Sequence, residues 1–260
     1  MAIPQQVKKL IPRPVKKVLK QGRSYFRALF ILNDYLAFKK QSERSQQRFS
    51  LSYNDFWPCL TDKTPETDFE RHYVYHLAWA ARCVRDIAPE RHIDIGSRLF
   101  FPAILSAFVP TDFYDYRPAD IAISGLGSYK GDLTNLPFKD NELSSVSCLH
   151  TLEHIGLGRY GDPIDPNGDL TAMKELSRVV APGGSLLIAL PMGKDMRIQF
   201  NAHRIYTYDQ MVAYFPDFIV KNFAYIPEES KREAIIEDAS PKDIKDDVMG
   251  CGCFWFIKKA

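Results

Sequence analysis

The sequence predicts a doubly wound α/β sheet, and three observations predict it. Short apolar runs that read as strands alternate with helical patterns from residue 66 onward. The clearest run, Ser185-Leu186-Leu187-Ile188-Ala189-Leu190, is bounded by Pro182-Gly183-Gly184 before it and Pro191 after it. An earlier run, His92-Ile93-Asp94-Ile95, ends in a glycine turn, Gly96-Ser97-Arg98, with a new apolar run from Leu99 to Val109 behind it. Strand, glycine turn and helix in that order are how open α/β sheets build a ligand crevice at the carboxyl edge of their strands.

In chain order, Pro4, Pro12 and Pro14 keep the start irregular. From Val15 to Phe30 apolar residues recur at three- and four-residue spacing beside Lys16, Lys17, Lys20, Arg23 and Arg27, the pattern of a basic amphipathic helix. The first 48 residues hold twelve Lys or Arg and two acids, a net +10 in a chain whose total is +2. Residues 1–48 are therefore read as a basic extension that meets an anionic membrane surface, or that packs on the body or a partner with its basic face in solvent. Residues 49–260 are read as the α/β domain. Nucleic acid is excluded as a partner, since the basic charge stays in one segment without an accompanying motif.

Gln41 to Ser50 reads as a polar linker. Thr64-Pro65 supplies an N-cap and a proline at the first helical position, predicting a helix to about Ala88 with Tyr73, His76, Ala80, Cys83, Val84 and Ile87 on its apolar face. His72 and His76, four apart, could share a metal. Packing against the sheet is preferred, because no carboxylate joins them in a known ligand pattern, and no metal site is assigned. Thr111 to Tyr116 reads as the second strand, Ile121 to Ile123 as a further short one, and Gly125-Leu126-Gly127 as a turn. Ser145 to His150 is a buried strand. Gly156 to Asp169, with four glycines and two prolines, is a loop. Helices follow over Leu170 to Val180 and Thr207 to Phe215. Phe218 to Tyr225 and Cys253 to Ile257 read as the last strands, separated by a charged insertion.

The composition, 45% hydrophobic and 25% charged, suits a soluble chain with one sizeable core. Five cysteines without a C-x-x-C pair indicate neither a disulfide framework nor a structural zinc, and fit a reducing cytosol. The longest apolar run near the N-terminus, Ala28 to Leu32, is too short to span a bilayer.

Asp115 follows Asp94 by 21 residues. An acid about 20 residues past a glycine turn suits a ribose, because a carboxylate accepts hydrogen bonds from both vicinal hydroxyls. A full G-x-G-x-x-G is absent. Taken together, Asp94-Ile95-Gly96, Asp115, Asp132-Leu133 before Leu136-Pro137-Phe138, His150-Thr151-Leu152-Glu153-His154-Ile155 and Ala181-Pro182-Gly183-Gly184 resemble class I S-adenosylmethionine-dependent methyltransferases, and most the methyltransferase type 11 group. Pro58 to Asp62, His72-Tyr73 and the loop from Gly158 to Asp169 resemble a narrower family of methyltransferase-like proteins of unassigned activity linked to surface-glycan synthesis.

The resemblance covers roughly residues 55 to 258 and implies a Rossmann-like sheet and S-adenosylmethionine as cofactor. It implies that Gly96 lets the backbone approach the methionine part and that Asp115 holds the ribose. Asp132 would take the adenine amino group with Leu133 against the ring, and Ser97 the carboxylate. Arg98 either pairs with that carboxylate or stands exposed. Asp94 and His150 complete the implied cofactor set. For the catalytic base it implies His154 first, with Glu153 and His203 behind it. Asp162 and Asp165 either bind acceptor hydroxyls or form turns. The implied activity is O-methylation of a small-molecule or glycan acceptor, such as a glycolipid precursor, in the cytoplasm or at the inner face of a membrane. The turn at Gly96 has one glycine where active relatives have two or three. The alternative is therefore a non-catalytic module in a membrane-associated glycan-synthesis complex; a nicotinamide-dependent oxidoreductase has no role for Asp132 or Leu136-Pro137-Phe138.

Overall fold

The computed structural model describes residues 30–45, 48–52, 54, 56–59, 62–228, 234–244 and 247–260. The chain divides into two compact units, Met1–Asp68 and Phe69–Ala260. In the first, residues 30–42 are helical. The basic helix read from Val15 lies, up to residue 29, outside the described residues. Among the described residues no helix is long and apolar enough to cross a membrane.

The second unit opens with α1 (Arg71–Ile87), followed by β1 (His92–Ile95), α2 (Phe100–Leu105), β2 (Thr111–Asp115), β3 (Leu126–Lys130) and β4 (Leu143–Leu149). A 3₁₀ turn at Leu152–His154 leads to α3 (Gly168–Val179) and β5 (Val180–Met192). The hairpin of β6 (Arg197–Gln199) and β7 (His203–Ile205), α4 (Tyr208–Tyr214), β8 (Phe218–Ile226), α5 (Pro241–Ile244) and β9 (Gly250–Lys258) complete it. Seven strands form one sheet in the order β3-β2-β1-β4-β5-β9-β8. The first five are parallel, and β9 runs antiparallel to both of its neighbours. Strand order reverses between β1 and β4, so the crevice predicted beyond Gly96 lies at the sheet's switch point.

The central strands are buried on both sheet faces, and the run from Leu186 to Leu190 in β5 is apolar without alternation for that reason. Leu186, Ile188 and Leu190 of β5 share a buried cluster with Ala172, Met173, Leu176 and Val179 of α3. The intervening Leu187 and Ala189 share another with Trp79, Ala80, Cys83 and Val84 of α1 and with Cys251, Cys253 and Trp255 of β9. His92 is buried under the sheet, its ring nitrogens bonded to Ser145 Oγ (2.8 Å) and Ser147 Oγ (2.9 Å). Burial pushes its pKa down to about 3, so it is neutral.

Four predicted elements are corrected. The helix starts at Arg71 rather than after Thr64, whose hydroxyl donates to the Glu66 carbonyl (2.6 Å) in a local turn instead of capping. The Gly125-Leu126-Gly127 turn is instead the start of β3, while Ile123 forms only an isolated bridge. A Cβ at Gly127 would stand 2.5 Å from Asp112 Oδ1 and the Tyr129 ring, so close packing, not a turn, demands this glycine. Pro182-Gly183-Gly184 lies within β5: Val180 faces Leu143 but Ser185 faces Ser145, so the extra residues bulge out of the ladder. The β6–β7 hairpin has no counterpart in the predicted elements.

Candidate functional site

A cavity of about 510 Å³ opens at the carboxyl ends of β1, β2 and β4, within the size range of small-molecule and cofactor pockets. Seven of the eight predicted cofactor residues line it: Gly96, Ser97, Arg98, Asp115, Asp132, Leu133 and His150.

The eighth, Asp94, stands apart from them. Its side chain is fully buried and does not reach the cavity. Oδ1 accepts hydrogen bonds from Ser97 Oγ (2.6 Å) and from Ser147 Oγ, and Oδ2 has no partner among the described residues. Burial pushes its pKa up to about 7 against the hydrogen bonds from the two serines. Asp94 is an internal strut that holds the turn.

Gly96 has φ +70°, and a Cβ there would stand 2.6 Å from Thr151 Cγ2. The turn's own packing therefore requires glycine, whatever occupies the cavity. Ser97 Oγ also accepts from the Leu149 amide (3.2 Å). Arg98 is exposed, as one of its two readings has it, but it also pairs with Glu70 and lies 4.0 Å from the centre of the Tyr73 ring.

Asp115 and Asp132 each spend Oδ1 on their own turn. The first accepts from the Arg117 amide (2.7 Å), the second from the Thr134 amide (2.8 Å) and hydroxyl (2.6 Å). Neither Oδ2 has a hydrogen-bond partner among the described residues, and both carboxylates stand at the cavity wall.

Of the predicted base candidates only His154 lines the cavity. Its Nδ1 stands 2.7 Å from the Ala202 carbonyl and 3.3 Å from Arg159 Nη1; the shorter contact, to an atom that can only accept, puts the proton on Nδ1 and the lone pair on Nε2, which lies 3.7 Å from Glu153 Oε1. Burial, aided by the charge of Arg159 and opposed by Glu153, holds its pKa below the usual imidazole range. Glu153 is wholly buried behind it, where Oε1 accepts from His150 Nδ1 (2.8 Å). In that position Glu153 supports His150, and it does not line the cavity. His203, on the β6–β7 hairpin, is half-buried and lies outside the cavity lining, its Nε2 enclosed without a partner among the described residues. Asp162 and Asp165 line the cavity, but Asp162 accepts from the Gly156 amide (2.8 Å) and Asp165 from the Asn167 amide (2.9 Å), the turn-forming role.

Two features escape sequence reasoning. Tyr73, Tyr114, Tyr116 and Tyr160 add an aromatic wall; the signal available was the pair of tyrosines flanking Asp115. Arg204, buried at 5% exposure, donates to the carbonyls of Ile155 (2.6 Å) and Pro166 (3.2 Å) and pairs with Asp169, which clamps the glycine-rich loop over the cavity.

Residues 137–239 match the profile of a family described as Caenorhabditis protein of unknown function, DUF268. No curated protein sequence matches the chain. Among solved structures, the Burkholderia thailandensis 1,6-didemethyltoxoflavin-N1-methyltransferase with bound 1,6-didemethyltoxoflavin and S-adenosylhomocysteine is similar with a TM-score of 0.51 and 11% identity, over 72% of this chain and 79% of that one. A protein of Galdieria sulphuraria described as a sarcosine dimethylglycine methyltransferase is similar with a TM-score of 0.50 and 13% identity, over 72% and 86%. With the sheet order β3-β2-β1-β4-β5-β9-β8, the architecture is the Rossmann-like fold of the class I S-adenosylmethionine-dependent methyltransferases.

Proposed function

We propose that the protein is an S-adenosylmethionine-dependent methyltransferase that methylates an oxygen of a small-molecule or glycan acceptor, such as a glycolipid precursor at the cytoplasmic face of a membrane. The observation that carries the reading is the convergence of Gly96, Asp115, Asp132 and Leu133, from the carboxyl ends of β1, β2 and β3, on one cavity at the switch point. The donor set fits the cofactor: the free Oδ2 of Asp115 suits the ribose hydroxyls, that of Asp132 the adenine amino group, and Leu133 and the tyrosine wall the flat ring. When bound, the cofactor supplies a methyl group carried on a sulfonium.

His154 would then take the acceptor's proton, since its Nδ1–H is fixed on a carbonyl and its depressed pKa keeps Nε2 unprotonated at neutral pH. Positioning of the acceptor by the clamped loop supplies the rest. The glycan class is supported by the family resemblance, and the membrane context by the net +10 of residues 1–48. Calorimetric titration of the full chain with S-adenosylmethionine tests the reading, and absence of binding at millimolar cofactor overturns it. A second reading, a non-catalytic module, is favoured by the turn at Gly96, where Ser97 is bonded to Asp94 and Arg98 to Glu70. It predicts a folded protein that ignores the cofactor.

A further inference from the structure

We propose that His76, His150 and Cys251 form a binding site for one zinc-type transition-metal ion. This goes beyond the methyl-transfer reading and does not rest on it: of the three ligands only His150 is also among the implied cofactor residues, and His76 and Cys251 lie outside the cavity lining.

The three residues come from the middle of α1, the turn after β4 and the start of β9. One ring nitrogen of each histidine and the Cys251 sulfur lie within 4.8 Å of one another, and His150 Nε2 stands 3.3 Å from Cys251 Sγ. Tetrahedral zinc, with bonds of about 2.0–2.1 Å to nitrogen and about 2.3 Å to sulfur, spaces its ligand atoms about 3.5 Å apart. Closing the group thus moves its widest pair by about 1.3 Å, within reach of a ring rotation.

The hydrogen bonds behind the ligands point the same way. His76 Nδ1–H donates to the His72 carbonyl (2.6 Å) and His150 Nδ1–H to the Glu153 carboxylate (2.8 Å). A carbonyl cannot donate, so the proton of His76 is fixed on Nδ1 and its Nε2 carries a bare lone pair. That Nε2 is fully buried and has no partner among the described residues. A proton shared between His150 and Cys251 would satisfy those two groups and still leave His76 Nε2 empty, at the cost of a buried unpaired acceptor. A cation satisfies all three at once. An imidazole backed by a carboxylate and another backed by a backbone carbonyl are the usual supports of metal-bound histidines. Two imidazoles and a thiolate suit zinc and its neighbours, not magnesium or calcium. Three protein ligands leave a fourth position open, and His150 and Tyr73 line the cavity through which an ion reaches the site. Cys253 Sγ, 3.9 Å from Cys251 Sγ, is placed to donate to the thiolate.

The test uses the full-length protein, stripped by a chelator and titrated with Co²⁺. The expected result is one Co²⁺ per chain with a thiolate-to-cobalt charge-transfer band that Zn²⁺ abolishes. Cys251→Ser should lose the band and Cys253→Ser keep it, His76→Gln should weaken binding at least tenfold, and Glu153→Gln by about 10–100-fold. X-ray absorption of the zinc-loaded wild type, which depends on no variant folding, should show one sulfur at about 2.3 Å and nitrogen scatterers at about 2.0 Å. A folded chain without the band, a band that survives Cys251→Ser, equal loss of the band in folded Cys253→Ser, or a zinc shell without sulfur would each overturn the proposal.

Discussion

Replacing Asp94 by Asn should change how stability depends on pH, and the structure gives both the sign and the size. In the native state Asp94 keeps its proton up to about pH 7, while His92, joined to it through Ser147, stays neutral down to about pH 3. In the unfolded chain the same groups titrate near their ordinary values, about 3.9 and 6.5. Between about pH 4 and 6.5 the folded state therefore holds one proton at Asp94 that the unfolded state has lost, and lacks one at His92 that the unfolded state carries. The Asp94 contribution makes stability fall as pH rises through the window; the His92 contribution makes it rise. Each has a slope of about 1.4 kcal/mol per pH unit, and in the wild type they cancel. The carbonyl of the substituted amide can still accept from both serines, so Asp94→Asn removes the first contribution alone. Relative to wild type, Asp94→Asn should gain about 3 kcal/mol between pH 4 and 6.5, and His92→Gln should lose a similar amount over the same range. Urea unfolding at half-unit pH steps, with m held common, measures both differences. A difference between Asp94→Asn and wild type that stays flat from pH 4 to 7 would refute the burial-driven protonation of Asp94.

Gly96→Ala should lower stability by about 1–2 kcal/mol for the left-handed backbone and by about 1–3 kcal/mol more for the overlap with Thr151; adding Thr151→Ala should return only the second part, read from urea midpoints. Asp115→Ala should weaken S-adenosylmethionine binding by about 1–3 kcal/mol, roughly a 5- to 150-fold rise in Kd by calorimetry. His154→Ala should cut turnover by about 10²–10⁴-fold with cofactor affinity unchanged. In the wild type kcat should be at its plateau at neutral pH and fall only as pH drops through the lowered pKa of His154; a profile still rising above pH 7.5 would assign the base elsewhere.

The parallel core of this fold is legible in the sequence because strands covered on both faces must be continuously apolar. β5 announces itself that way, with Gly183 and Pro191 marking a break near each end, whereas β1 and β4 carry buried polar residues that bond to one another, His92 to Ser145 and Ser147, and Ser147 to Asp94. What hides an element is local chemistry that serves tertiary contacts. Two glycines make β3 read as a turn, although Gly127 is small only because Tyr129 and Asp112 press on it. Pro182-Gly183-Gly184 reads as the end of a helix and is also a bulge inside β5. Thr64-Pro65 has the chemistry of a helix start, yet its hydroxyl is taken by a carbonyl two residues on.

The same distinction divides the site. Asp115, Asp132 and Gly96 are legible because a strand's end fixes where its next residues lie, so an offset from a glycine is nearly a position in space. Where the side chain of Asp94, at the same edge, goes is not legible, because a strand residue points to one face or the other, and only its neighbours Ser97 and Ser147 show that this one points inward. The wall built by the loop after β4 depends on Arg204, a residue whose partners are 35 or more positions away and invisible to spacing. The cluster of His76, His150 and Cys251 is the extreme case. β9 runs antiparallel between β5 and β8, so that Cys251, near the end of the chain, starts its strand opposite Pro191, at the edge where β4 finishes and the His150 amide bonds to the Ala189 carbonyl. A pair search within one helix finds His72 and His76, but the His72 side chain is not among the ligands; its backbone carbonyl fixes the tautomer of His76. Sequence spacing detects ligands that share an element. Here each ligand comes from a different one, and the strand order together with the packing of α1 on the sheet brings them together.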